Sequence, residues 1–390
     1  MLTKNIRFKN FYLKKKTTLI KKNFENIKKT FLSGNNDLFL SLSESYQSNF
    51  NRKKVKDLKK YSIVRIIGMG GSILGAEAIY EFLKIKIKKK FIFFNNLGLE
   101  KGYFKSKKKI LNLIISKSGN TLETISNFNT IKKNDKSIFI TENQNSYLNN
   151  LALKMKSEII EHNNYIGGRY SVLSEVGMLP AELMGLNEKK FKRLNHLIKN
   201  KSFIKNLINN VSSTLYYVKG GKTNSIILNY DSSSESLFNW YQQLVAESLG
   251  KKSKGILPII SQQPKDNHSV MQLYLDGPKN NFFTFFDVMN DKTKKINNKK
   301  ILKSHVYLKN KSISDIKLAQ KYATQNIFKR KKIPFRTFEV LKRSEESLGE
   351  LFCFFILETI LLGKSLNVNP FDQPSVELIK TDTKKLLIKS

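Results

Sequence analysis

Short apolar runs alternate with stretches of helical periodicity along this chain, and they do so in two series. YSIVRII (61–67), FIFF (91–94), ILNLII (110–115) and SIFI (137–140) are runs of strand length in the first half. The turn GMGGS and the helical ILGAEAIYEFLK (73–84) follow the first of them. Continuous apolar runs of this length suit strands covered on both faces, and helices between them supply the crossovers of a parallel sheet. A Lys/Asn-rich helical stretch (188–211) separates this series from a second one. There SIILNY (225–230), a helix at 234–249, GILPII (255–260), FFTFFDVM (282–289) and HVYL (305–308) precede helices near 313–327 and 347–366. The pattern predicts an α/β fold with two mainly parallel sheets and a domain change near residue 200. The expected division is a helical arm over 1–35, a first domain over 36–198 and a second domain with C-terminal helices over 199–390.

Composition narrows the function classes. A chain of 390 residues with 40% hydrophobic residues can build two or three domains. Its single cysteine, Cys353, lies in an apolar run and reads as a small buried hydrophobe in a reducing, cytoplasmic setting. The N-terminal stretch reads as an arm and not as a secretory signal, because it lacks an uninterrupted apolar core. LFCFFILETILL (351–362) is too short to cross a bilayer and carries Glu358, so it reads as a buried helix. The net charge of +39 is spread in short lysine runs such as 88–90 without interleaved aromatics. That distribution fits a chain-wide compositional bias and implies neither a dedicated nucleic-acid partner nor a membrane partner.

Two loops invite a ligand. GMGGSILG (Gly68–Gly75) joins a strand to a helix but lacks the third glycine of a dinucleotide fingerprint, since Ile73 stands there. Gly71 and Ser72 still let backbone approach a ligand closely; a tight packing turn is the alternative. SKSGNTLET (116–124) follows ILNLII and opens a helix. Ser116, Ser118, Thr121 and Thr124, with Lys117 beside them, supply hydroxyls and a positive charge at a helix start, which suits a phosphate. Asn120 with Glu123 has capping-box spacing, and a well-capped helix is the competing reading. No triphosphate motif accompanies this loop, so a small phosphorylated metabolite is implied.

Other candidates are weak when taken singly. Glu247 falls in the last turn of the amphipathic helix SLFNWYQQLVAESLG, beside Lys251 at i+4. It is a candidate general base or half of an exposed ion pair. His268 sits among Asp266 and Asn267; Arg169 lies between a glycine pair and Tyr170; Gln373, Glu377 and Lys380 cluster near the C-terminus.

In this order GMGGSILG, SKSGNTLET, GGRYSVLSEVG, QQLVAESLGKKSKGILPI, DNHSVMQLYLDGP and QPSVELIK resemble the glucose-6-phosphate isomerase family of the sugar-isomerase superfamily, over residues 68–380. The resemblance implies two flavodoxin-like sugar-isomerase domains, each a three-layer αβα sandwich, and an aldose–ketose isomerase needing no cofactor and no metal. It implies Glu247 as the base, His268 and Lys380 in ring opening, and Arg169 steadying the intermediate. Ser116, Lys117, Ser118 and Thr121 would hold the phosphate, while Gly71, Ser72 and Gln373 contact the sugar. A homodimer with His268 donated across the interface is also implied. Leu249 and Ile379 depart from the family pattern, which has Asn or Thr and Gly there. Alternatives are a non-catalytic sugar-phosphate sensor and an isomerase of a related sugar phosphate such as mannose 6-phosphate.

Overall fold

The computed structural model describes residues 1–11, 17–34, 38–98, 109–131, 135–289 and 293–389. The chain opens with strand β1 (Ile6–Lys9), helix α1 (Thr18–Leu32) and helix α2 (Arg52–Leu58). Then come β2 (Ile63–Gly68), α3 (Leu74–Leu83), β3 (Lys90–Phe94), β4 (Ile110–Ile115), α4 (Leu122–Asn129), β5 (Lys136–Thr141), α5 (Tyr147–Lys154) and β6 (Glu158–Glu161). Helices α6 (Glu175–Leu183), α7 (Glu188–Phe191), α8 (Leu194–Leu197) and α9 (Lys201–Lys219) lead into the second half. That half holds β7 (Asn224–Asn229), α10 (Glu235–Leu249), β8 (Leu257–Gln262), α11 (Met271–Asp276) and β9 (Asn281–Val288). It ends with α12 (Ile313–Arg330), β10 (Phe335–Val340), α13 (Glu345–Leu366) and α14 (Val376–Lys389).

Among the described residues two five-stranded sheets result, with orders β3-β2-β4-β5-β6 and β1-β10-β9-β7-β8. Every pairing is parallel except that of β1 with β10. Alternation along each strand divides its side chains between two faces. In the first sheet Leu111, Leu113 and Ile115 join the central core, whereas Ile114 and Phe139 pack with Leu148 and Ala152 under α5. In the second, Phe282 and Phe286 face the central core, and Phe283 and Phe285 pack beneath α11 and α12 with Tyr274 and Phe328. One continuous core therefore lies between the sheets, with the contact of α3 against α10 at its centre. Helix α13 runs through it with Cys353 fully buried. Among the described residues no helix is long and apolar enough to cross a membrane.

Two sequence expectations need correction, and one strand escaped the sequence reading. The 1–35 segment is not only helical. β1 adds an antiparallel edge to the second sheet, with Ile6 opposite Val340. HVYL (305–308) is an exposed 3-10 turn in which Val306 and Tyr307 are 50% and 68% exposed, so its apolar letters never meet a sheet. The strand in that place is β10, which the sequence hides because Arg336, Thr337 and Glu339 interrupt its apolar pattern. All three are buried. Arg336 is neutralised by Glu358, and Glu339 by Lys321 at 3.0 Å, which is how buried charges become tolerable.

Candidate active site

The order of the first sheet decides where a ligand can sit. From β2 the chain goes outward to β3, then returns to β4 on the other side of β2 and continues to β5. The loops after β2 and β4 therefore leave the sheet in opposite directions, opening a crevice at their C-terminal ends. GMGGS follows β2 and SKSGNT follows β4, so both candidate loops border this crevice.

In the second loop Ser116 is buried and shares a 2.8 Å hydrogen bond with Thr121. Gly119 has φ of +67°, and a side chain there would strike Ser146. Thr121, and not Asn120, is the N-cap of α4, and its hydroxyl makes no capping bond. Asn120 instead accepts from the Tyr147 amide at 2.9 Å, tying the loop to α5. Without a side-chain cap, the first amides of α4 keep the donors and the positive dipole end that an anion needs. Ser118 is exposed. Lys117 reaches Glu142 at 3.5 Å and donates to the Asn164 carbonyl at 2.9 Å. Thr124, counted among the loop hydroxyls from sequence, is buried away from solvent and has no hydrogen-bond partner among the described residues. Behind the loop, burial and then the nearby charge of Lys117 push the imidazole of His162 down to about 4.

Arg169 organises the other half of the site. It is 3% exposed, and all five of its N–H groups are used. Nε donates to Ser248 at 2.8 Å; Nη1 donates to Glu247 at 3.0 Å and to Gln373 at 2.8 Å. Nη2 donates to the carbonyls of Pro370 at 2.6 Å and Asp372 at 3.0 Å. The hydroxyl of Tyr170 also donates to Pro370, at 2.8 Å, and burial holds this phenol above its ordinary value, so it keeps its proton. Gly71 ties the first loop in. A Cβ there would lie 2.5 Å from the Arg169 amide nitrogen and closer still to the Gly168 carbonyl, so only glycine allows the approach. Ser72 sits next to Gly68, which itself abuts the Ile115 carbonyl, so this loop also meets the end of β4.

Glu247 projects from the last turn of α10 with its side chain 22% exposed. Lys251, expected as its i+4 partner, turns away to Asp372 at 2.8 Å. Gln243, one turn earlier, donates to the other carboxylate oxygen at 2.9 Å and lies against Gly70. The sequence reading passed over Gln243 and Ser248. The i, i+4 spacing of Gln243 to Glu247 was the available signal for the first. A cavity of about 460 Å³ is lined by Gln243, Glu247, Lys251, Gln373 and Ser375, within the range of small-molecule sites.

Two candidates stand apart. His268 lies on the exposed 3-10 turn after β8, with no hydrogen bond or ion pair to Glu247, Arg169 or Gln373. Lys380 lies on α14, no residue of which is buried, and pairs with Glu377 of its own helix at 2.6 Å. Leu249, the first departure from the family pattern, is fully buried beside Gly363 of α13 and serves packing. Ile379, the second, is 71% exposed.

The family model for phosphoglucose isomerase matches residues 40–389. The chain belongs to the phosphoglucose isomerase family. It is 34% identical over 356 residues to the glucose-6-phosphate isomerase of Methanocaldococcus jannaschii, covering 84% of each chain. It is 31% identical to that of Mycoplasmopsis synoviae, covering 88% of this chain and 87% of the relative. Among solved structures it superposes on a hypothetical protein of Thermus thermophilus with a TM-score of 0.82 at 21% identity, over 95% of this chain and 96% of that one. For a glucose-6-phosphate isomerase of Chlamydia trachomatis the TM-score is 0.68 at 17% identity, over 90% and 78%. These likenesses show that the phosphoglucose isomerase family member has the two-sheet sugar-isomerase fold.

Proposed function

We propose that this chain interconverts glucose 6-phosphate and fructose 6-phosphate, a step of glycolysis and gluconeogenesis, with Glu247 moving the proton. Membership of the family supports the overall reaction. The observation that carries the residue assignment is the Arg169 fork, which joins the Glu247 carboxylate and the Gln373 amide beside the Gly71 loop.

The chemistry follows from these groups. With the phosphate on the Ser116–Thr121 loop and at the start of α4, the far end of an open-chain sugar extends towards Glu247. Binding energy at that distant phosphate then aligns the reacting carbons. The carboxylate takes the proton from C2 of the aldose; the C–H electron pair forms the C1–C2 double bond, and O1 becomes an enediolate oxygen. Arg169 stabilises that charge. Glu247 returns the proton to C1 while the proton on O2 passes to O1, leaving the ketose. Gln243 fixes the carboxylate from its other oxygen.

Ring opening is assigned to His268 and Lys380. Since neither is bonded to Glu247 within one chain, His268 is taken to come from a second copy in a homodimer, with Lys380 carried on α14. The buried lone thiol of Cys353 accords with a cytoplasmic enzyme.

Solvent deuterium incorporation at C2 of glucose 6-phosphate tests the assignment. The wild-type chain should exchange this hydrogen readily and Glu247→Gln should not. Comparable exchange by both would remove Glu247 as the base.

A further inference from the structure

A cavity of about 780 Å³ in the second half shares no residue with the one at Glu247. Helix α11 is only six residues long and α12 stops at Arg330, and the cavity lies beyond their ends, beside the first residues of β9 and β10. Tyr217, Tyr274, Phe283 and Phe335 line it, with Tyr274 set edge-on to Phe283 at 5.4 Å.

Its charge is one-sided. Lys222, Lys279, Lys329, Lys331 and Lys332 are among the thirteen lining residues, and no Asp or Glu is. At the chain-wide proportion of 70 Lys and Arg in 390, thirteen residues would carry about two, so compositional bias does not account for five. Lys331 is paired with Asp276 at 2.7 Å. Lys279 donates to the Leu275 carbonyl at 3.0 Å and Lys222 to the Lys279 carbonyl. Neither carbonyl neutralises a charge. Among the described residues Lys222, Lys329 and Lys332 form no ion pair, and Lys279 acts on the Asp276 carboxylate through its charge without an ion-pair contact. Burial, and then the Lys279 charge, also disfavour the charged form of Lys222, so an anion between the two would relieve both.

We propose that this cavity binds a nucleoside polyphosphate, with the base against the half-buried Tyr217 and the phosphates among Lys222, Lys279, Lys329 and Lys332. A flat ring finds the Tyr217 side chain there, and a phosphate chain finds compact ammonium groups. The volume exceeds what a phosphate chain alone would occupy and lies within the range of small-molecule sites.

Calorimetric titration of the full chain with ATP tests this, with fructose 6-phosphate held at saturation so that the sugar-phosphate site is occupied. Saturable binding is expected, weakened at least tenfold in the double variant Lys329→Glu with Lys332→Glu. Both side chains are exposed and unpaired among the described residues, so isomerase turnover of the variant should stay at the wild-type level and certify its fold. Adenosine alone and tripolyphosphate alone should each bind more weakly than ATP. Absence of saturable binding, loss of binding when fructose 6-phosphate is added, indifference to charge reversal, or tripolyphosphate binding as tightly as ATP would each overturn the proposal. None of these outcomes bears on Glu247.

Discussion

Arg169 and Glu247, 78 residues apart in sequence, form a 3.0 Å ion pair with the guanidinium buried and the carboxylate part-exposed. The arginine is fixed by four further acceptors, whereas Glu247 lines the cavity. Arg169→Lys keeps the charge and loses the fork. We expect kcat to fall by about 10² to 10³, the usual cost of removing one stabiliser of a developing oxyanion, with a small change in KM. Steady-state kinetics check this. Arg169→Ala should also destabilise the fold by about 3–5 kcal/mol, because the carbonyls of Pro370 and Asp372 and the Glu247 carboxylate lose their partner together.

Gly71→Ala tests the contact between the two loops. The added methyl group meets backbone at Gly168 and Arg169, which cannot rotate aside. A cost of about 1–3 kcal/mol is expected, read as a lower melting temperature, together with a loss of turnover as the Arg169 backbone shifts. An unchanged melting temperature would mean that the loops part freely.

Ser118→Ala with Thr121→Ala removes two hydroxyls at the start of α4. Hydrogen bonds to a charged group contribute about 1.5–3 kcal/mol each, so KM for fructose 6-phosphate should rise by more than about tenfold. The slow conversion of unphosphorylated fructose should be unaffected. Equal effects on both substrates would move the phosphate elsewhere.

His162 gives the chain an acid sensitivity. Its imidazole is held near 4 in the fold against 6.5 when free, so the unfolded chain binds more protons between these values. Stability is therefore lost as pH falls from 6.5 towards 4, by about 2 kcal/mol at pH 5, and is independent of this group above 6.5. Urea midpoints at pH 7.5 and pH 5 should differ less in His162→Gln than in the wild type.

Much of this was legible in the sequence, and the exceptions have a common cause. Strands β2, β4 and β7 are covered on both faces by apolar neighbours, so their apolar runs survive in the letters. In β10 the burial of Arg336 and Glu339 is compensated by Glu358 and Lys321, from distant elements, which no local pattern records. β1 has four residues and a partner more than 300 positions away. Glu247 and Gln373 each looked like an ordinary surface residue because what distinguishes them, the buried Arg169 fork, is a tertiary fact. The loop proposed to hold the phosphate drew notice because its hydroxyls are adjacent in sequence, though the sequence named the wrong cap.

The pairing of β1 with β10 has a consequence for synthesis on the ribosome. Leu2 and Ile6, destined for full burial, leave the exit tunnel long before β10 and belong to the sheet that β10 completes. At cellular elongation rates Ile6 waits roughly 20 to 70 s before Val340 is made. The nascent chain thus carries an unpaired apolar segment through the synthesis of everything between β1 and β10, and the second half can close only once β10 has emerged.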